Sequence, residues 1–323
     1  MLQVGVITLC SMIMTACLCP FVLLLTRKLK ASQPILGYVT NHYSKSGTPT
    51  MGGIAFLVGA CSIVVLASIT RSSIALACAG ATLLFGALGF CDDFLKIRGR
   101  KNKGLGVFQK LVGQCIIGFL VACYAYFNPN VGSIVKLPAG GSFDLGIYAL
   151  PIYVLFVVAV TNFVNLTDGL DGLVSTTGSV YLITMGIVLT LSYVTNRAET
   201  LRDLSGFSFA LGGGLAVFYV LNSYPAKIFM GDTGSLGVGA GIACVSLFSG
   251  NILLFLVLGA VYCVSGISVI LQVFYYKLTK KRIFKMAPFH HHLERCGIHE
   301  NKIVATYSLV TLCLGIAVIS FWG

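Results

Sequence analysis

Charge is what this chain has least of. Only 10% of its 323 residues are charged, and Asp and Glu together number 10, whereas a soluble domain carries about 25% charged residues. With 57% hydrophobic residues and a mean hydropathy of +0.92, a water-soluble globular fold is excluded. The basic start of a secretory leader is also missing. The first apolar run begins almost at Met1 and reaches about Leu25 with no Lys or Arg before it, so it reads as a permanent span. The 12 cysteines contain no CxxC pair. All but Cys296 lie in apolar segments or at their ends, where they serve as small hydrophobes rather than as a disulfide or metal framework. No repeat, low-complexity linker or second soluble domain is visible, so residues 1–323 read as one polytopic domain. A net charge of +12 would suggest nucleic acid in a soluble protein. Here loops facing anionic lipid and phosphate-bearing substrates account for it, and no nucleic-acid partner is expected.

Long apolar runs are plentiful. Within lipid only helices and closed barrels satisfy their own backbone, and runs of about 20 apolar residues are helix-length. The expectation is an all-α integral membrane protein with ten spans, roughly 3–26, 52–69, 73–91, 107–126, 147–164, 175–194, 205–221, 233–249, 252–275 and 302–322. Of the 22 Lys and Arg, only Arg71, Lys136, Arg197 and Arg202 fall in loops that follow even-numbered spans. The positive-inside rule then places the odd-numbered loops in the cytoplasm and both termini outside. On the outer side, Ile134–Leu137 and Ser142–Leu145 flank Pro138–Gly141, the pattern of a short β-hairpin. Val273–Met286 mixes aromatics with Lys277, Lys280, Lys281, Arg282 and Lys285, as either an interfacial basic helix or the basic flank of span nine.

Against this background three polar clusters stand out, because Asp92, Asp93, Asp168, Asp171 and Asp232 are half of all the carboxylates. Carboxylates at a membrane edge are functional suspects. Asp92 and Asp93 end span three and precede the basic run Lys96, Arg98, Arg100, Lys101 and Lys103. That combination suits a metal–diphosphate site, since magnesium takes one or two carboxylates plus phosphate oxygens; the alternative is a helix-end ion pair of Asp92 with Lys96. Asn162, Asn165, Asp168 and Asp171 are spaced by three, and Gly169 and Gly172 predict a broken helix with bare amides and carbonyls for a ligand base or sugar. Asp232 is the only acid of its loop, either the cap of a helix starting near Thr233 or a metal ligand. Phe229 beside it is either a stacking partner for a base or an ordinary interfacial aromatic. The stretch Pro288-Phe289-His290-His291-His292-Leu293-Glu294 matches no common zinc spacing, Cys296 and His299 included, and suits phosphate contact or proton transfer better. Lys45 to Gly53 adds a hydroxyl-rich loop, and Gly212-Gly213-Gly214 predicts close helix packing.

Together these stretches resemble the polyprenyl-phosphate N-acetylhexosamine-1-phosphate transferases, over nearly the whole chain. The Asp-Asp pair and the Asn/Asp-Gly run look like the superfamily's. The Pro-x-His-His-His-x-Glu stretch and the Gly-Thr-Pro-Thr-Met-Gly-Gly loop look like its muramyl branch. The resemblance implies that UDP-MurNAc-pentapeptide and undecaprenyl phosphate give undecaprenyl-diphospho-MurNAc-pentapeptide and UMP in a bacterial cytoplasmic membrane. It implies Mg²⁺ at Asp232, with Asp92 and Asp93 near the metal and the lipid phosphate. Lys45, Asn165, Asp168, Gly169, Leu170 and Asp171 would line the nucleotide site, with Phe229 on uracil and Gln272 carried over by position. Lys96 and Lys103 would meet phosphate, and His291 and His292 would assist there. The oligomeric state is left open, a homodimer included. Two rivals are a UDP-GlcNAc-dependent sister enzyme and an ion-coupled carrier. The carrier would place its acids mid-span on repeated halves.

Overall fold

Inside a bilayer each backbone amide bonds within its own segment, and the apolar runs form helices accordingly. The computed structural model describes residues 2–29, 31, 47–68, 72–99, 104–137 and 140–322. Its elements run α1 (Leu2–Lys28), α2 (Gly53–Ser68), α3 (Ser73–Gly99), α4 (Val107–Phe127), β1 (Ile134–Lys136), β2 (Ser142–Asp144), α5 (Ala149–Thr167), α6 (Leu173–Asn196), α7 (Glu199–Asn222), α8 (Gly231–Phe248), α9 (Leu254–Leu258), α10 (Ala260–Thr279), α11 (Phe289–Arg295) and α12 (Glu300–Trp322). Among the described residues nine helices are long and apolar enough to cross a membrane. The remaining expected span, α2, is a shorter apolar helix of 16 residues, about 24 Å at 1.5 Å per residue. The hairpin forms where expected, antiparallel, with Val135 opposite Phe143.

Span nine differs from expectation. The run 252–275 is not one helix but α9 and α10, divided at Gly259. A side chain at Gly259 would lie 2.7 Å from the ring and carbonyl of Phe255, so the bend closes onto α9 with no room for a Cβ. The basic segment that follows is the flank of this span rather than a separate interfacial helix: α10 continues to Thr279 and stops at Lys280, which is left-handed with φ 57°.

The bundle is centred on α8, buried along almost its whole length. A helix apolar on every face belongs in such a centre. Its small residues let neighbours approach backbone to backbone, as in membrane packing generally. A Cβ on Gly53 of α2 would sit 2.2 Å from Gly234 Cα, and one on Gly89 of α3 only 2.1 Å from the Asp232 carbonyl oxygen. The Gly212–Gly214 run packs closely as predicted, Gly212 against Leu182 of α6 and Gly213 against Met12 of α1.

These approaches fix where the first turn of α8 lies. Gly89→Ala must separate α3 from α8 and is expected to destabilise by about 1–3 kcal/mol, the cost of overpacking. Gly80→Ala on the same helix meets nothing within 4 Å and is expected to be neutral. Thermal unfolding of both variants in one detergent checks the contrast.

Candidate active site

Adjacent helical residues point about 100° apart, so Asp92 and Asp93, both buried, do different work. Asp93 Oδ2 accepts the Thr233 N–H at 3.0 Å and the Thr233 hydroxyl at 2.8 Å. It therefore satisfies one free amide at the start of α8 from another helix. Asp232 does not fill the capping role open to it in the sequence: Met230 holds the N-cap position without a side-chain bond, and Asp232 lies in the first turn. Asp92 Oδ1 accepts the Leu105 N–H at 2.7 Å, and its Oδ2 is 2.7 Å from Lys96 Nζ.

Asp232 collects the most partners. Its Oδ2 accepts from Lys96 and from Lys110 of α4, each at 2.8 Å, and its Oδ1 accepts from Asn165 of α5 at 3.1 Å. Lys110 also lies 3.6 Å from Asp92. Four helix ends thus meet at one carboxylate cluster. Lys110 was not singled out in the sequence. Its only signal there was its place at the end of the basic run, on the first turn of the next span.

Asp92, Asp93 and Asp232 each offer an oxygen, all within 4.8 Å of one another. Around magnesium, with bonds of about 2.0–2.1 Å, octahedral ligands stand about 2.9 Å apart when adjacent and about 4.2 Å when opposite. The hard oxygen donors and their spacing fit such an ion after a small closure. Asp93 Oδ2 bonds the Thr233 amide and hydroxyl, whereas Asp92 and Asp232 share their charge with the ammonium groups of Lys96 and Lys110. No histidine or cysteine group of three gathers for a metal among the described residues.

The break predicted between spans five and six is present. α5 ends at Thr167 and α6 starts at Leu173, with Gly172 left-handed at φ 80°. The residues spaced by three take four separate jobs. Asn162 pairs with Gln114 of α4 through reciprocal amide bonds of 2.7 and 3.3 Å. Asn165 serves Asp232. Asp171 Oδ2 accepts the Ala226 N–H at 2.9 Å while its own N–H is bound by Glu300 Oε1 at 2.6 Å, tying the break to the α7–α8 loop and to α12. Asp168 is half-buried. Desolvation first, then the negative neighbours Asp232, Asp93 and Asp171, push its carboxyl up to about 8.

A cavity of about 240 Å³ opens here, lined by Thr50, Asn165, Asp168, Gly169, Leu170, Asp171, Asn222, Phe229 and Asp232 among others. The structure therefore brings together most of the residues named for a nucleotide site. Hydrogen bonds from the Phe229 N–H to the Pro49 carbonyl (2.8 Å) and from the Gly52 N–H to the Phe229 carbonyl (2.9 Å) hold the hydroxyl-rich loop against it. Gln272 does not line this cavity; its amide is bonded to the backbone of Ile283 and Phe284. Lys45 and Lys103 lie outside the described residues.

The histidines divide. His290, passed over in the sequence, is fully buried with neither ring nitrogen bonded. Burial, then His291, lowers it to about 3 against the opposing pull of Glu294, so it stays neutral. His290 and His291 close over Gly169, where a Cβ would lie 2.4 and 2.8 Å from their Nε2 atoms. His291 Nδ1 is 2.7 Å from Glu294 Oε2. His292 instead packs between Phe284 and Phe289 and accepts the Lys285 N–H at 3.1 Å.

The glycosyl transferase family 4 profile matches residues 73–250, and signature 1 of the phospho-N-acetylmuramoyl-pentapeptide-transferases matches residues 45–57. A phospho-N-acetylmuramoyl-pentapeptide-transferase of Clostridium novyi is 39% identical over 91% of this chain and 89% of its own length. The chain belongs to the phospho-N-acetylmuramoyl-pentapeptide-transferase family. A relative of the same name in Halalkalibacterium halodurans is 39% identical over 94% of this chain and 92% of its own, and one in Clostridium kluyveri is 41% identical over 84% of each. As a member of this transferase family with many apolar helices, the protein is a multi-pass membrane protein.

The titration of Asp168 yields a signed expectation. The folded protein holds this proton up to about pH 8, whereas an unfolded Asp releases it near 3.9. Stability from this group is therefore full below about pH 4 and is lost progressively as pH rises to about 8. Asp168→Asn removes that loss. Its thermal midpoint, relative to the unaltered protein, is expected to rise between pH 5.5 and pH 8.5; a constant difference would mean the carboxyl is ionised throughout.

Proposed function

We propose that the protein transfers phospho-MurNAc-pentapeptide from UDP-MurNAc-pentapeptide to undecaprenyl phosphate. The products are undecaprenyl-diphospho-MurNAc-pentapeptide and UMP, a membrane step of peptidoglycan synthesis. The observation that carries the reading is the cluster of Asp92, Asp93 and Asp232 with Lys96 and Lys110 at one end of the bundle, beside a cavity lined by the α5–α6 break. The relatives' shared name supports it. The distribution of Lys and Arg supports a cytoplasmic position for this end in a bacterial membrane. A site at a helix-bundle edge suits a lipid acceptor and a water-soluble donor.

In such a transfer an oxygen of the lipid phosphate bonds to the sugar-bearing phosphorus, and the bond from that phosphorus to the UMP oxygen breaks. UMP leaves with the electron pair. The protein's task is placement and charge balance more than covalent work. Mg²⁺ bound by Asp232 and Asp92 would neutralise diphosphate charge and orient its oxygens. Lys96 and Lys110 hold these carboxylates in position and supply further positive charge to incoming phosphates. Asn165 orients Asp232. Phe229, Gly169, Leu170 and the half-buried Asp168 form the wall for uridine, and Asp171 holds that wall in place through Ala226. Neutral His290 and the His291–Glu294 pair close the cavity over Gly169.

The test is UMP release by purified protein in detergent with undecaprenyl phosphate, Mg²⁺ and the muramyl-pentapeptide nucleotide. Asp232→Asn and Lys110→Met are each expected to lower kcat by about 10²–10³, the range for losing one electrostatic contact to a transition state. EDTA is expected to abolish release. Turnover of UDP-GlcNAc in place of the muramyl nucleotide would move the protein to the sister branch.

A further inference from the structure

We propose that Glu300 is a positioning residue: through the Asp171 amide it sets the spacing between the two walls of the 240 Å³ cavity, taken here as the uridine site of the proposed transfer. Glu300 is one of only 10 acids in the chain and is buried in the first turn of α12. It is not itself among the residues that line the cavity. A carboxylate suits the start of its own helix, yet burying one is costly unless donors reach it. The donor lies on another segment. Glu300 Oε1 accepts the Asp171 N–H at 2.6 Å, the short length of a charge-assisted bond.

That amide belongs to the break between α5 and α6, where the regular ladder is interrupted and a buried N–H left alone would be destabilising. The same two segments are joined by a second route. Asp171 Oδ2 accepts the Ala226 N–H at 2.9 Å, and the ring of Tyr224, two residues earlier in the α7–α8 loop, stands edge-on to His299 at 5.5 Å between centroids. His299 directly precedes Glu300. The break, the α7–α8 loop and the start of α12 are therefore closed into one circuit. One wall of the cavity, Gly169 and Leu170, belongs to the break; another, Phe229, lies further along the α7–α8 loop. A change at Glu300 moves one wall relative to the other. The acidic cluster is outside the circuit, since Asp232 is held from α3, α4 and α5. Glu300 thus acts on the hold of the donor's base and leaves the charge cluster in place.

Full-length protein in detergent with Mg²⁺ is assayed for UMP release while the muramyl-pentapeptide nucleotide and undecaprenyl phosphate are varied in turn, and UDP binding is measured by calorimetry. Glu300→Met removes the acceptor at similar side-chain length. It is expected to raise the nucleotide KM, and the Kd for UDP, by about tenfold or more, the range for losing a hydrogen bond to a charged group. The kcat and the KM for undecaprenyl phosphate are expected to stay within about twofold, as when only uniform binding is lost. Glu300→Gln keeps an acceptor oxygen at the same reach and is expected to retain most of the affinity. Glu199→Gln, at the far end of α7, is expected to change nothing. Should Glu300→Met not fold, Glu300→Asp, one methylene short of the Asp171 amide, is expected to give the same split in smaller measure. A fall in kcat or in thermal midpoint with the nucleotide KM unchanged would make Glu300 a stability contact only and overturn the proposal. Glu300→Gln as impaired as Glu300→Met would overturn it too. If the unaltered protein binds UDP but releases no UMP, the transferase reading fails while the UDP comparison still decides the role of Glu300; no UDP binding at all would overturn both.

Discussion

The carboxylate of Asp232 accepts from Lys96, Lys110 and Asn165, and so from three helices at once. In a bundle this poor in charge, a part-buried ion persists only where cations and amides are delivered to it, and removing one partner from such a group costs about 3–5 kcal/mol. Delivery depends on how close the helices come. Gly89 and Gly53 let α3 and α2 touch the backbone of α8 beside Asp232 and Gly234. A side chain at Gly89 would push α3 away from α8 and so lengthen the reach of Lys96 to Asp232. The polar cluster and the glycine contacts are one construction, the second setting the distances that the first needs.

Much of this was legible in the chain. In a sequence with 10 acids, five of them at the ends of apolar runs mark a site before any fold is known. Run length predicted the helices, and Gly172 predicted the α5–α6 break. The division of labour within each cluster was not legible. Asp93 rather than Asp232 satisfies the start of α8, because the capping partner comes from a helix 140 residues away in sequence. Lys110 carries no local motif and gains its partners only when α4 packs beside the start of α8 and the end of α3. His290 is indistinguishable from His291 and His292 on paper; which of three consecutive rings is buried depends on the phase of a seven-residue helix. The division of span nine was hidden for a similar reason. Gly259 interrupts nothing in the hydropathy pattern, and the bend exists because Phe255 folds back onto it.

The break between α5 and α6 shows how irregular backbone is kept between two apolar helices. Such backbone is tolerated only where protein or a polar cavity satisfies it. Here Asp171 and Glu300 do so from opposite sides, one bonding the Ala226 N–H and the other the Asp171 N–H. Residues that line the cavity also bind the loop together, so substituting them alters both. Asp168 is the exception. Its carboxyl has no hydrogen-bond or ion-pair partner among the described residues, and burial together with its negative neighbours favours the protonated form.

The two groups of cations illustrate how partner geometry decides what a positive charge does. Lys96 and Lys110 face carboxylates 2.8 Å away, so their charge is largely spent within the protein until a more highly charged ligand arrives. Among the described residues Lys277, Lys280 and Arg282 have no such partner, and they sit at the end of a helix whose exposed faces are apolar. Equal residue types thus divide into an internal set that organises an acidic cluster and an external set without a carboxylate partner among the described residues, and the division follows from where the carboxylates are rather than from the cations themselves.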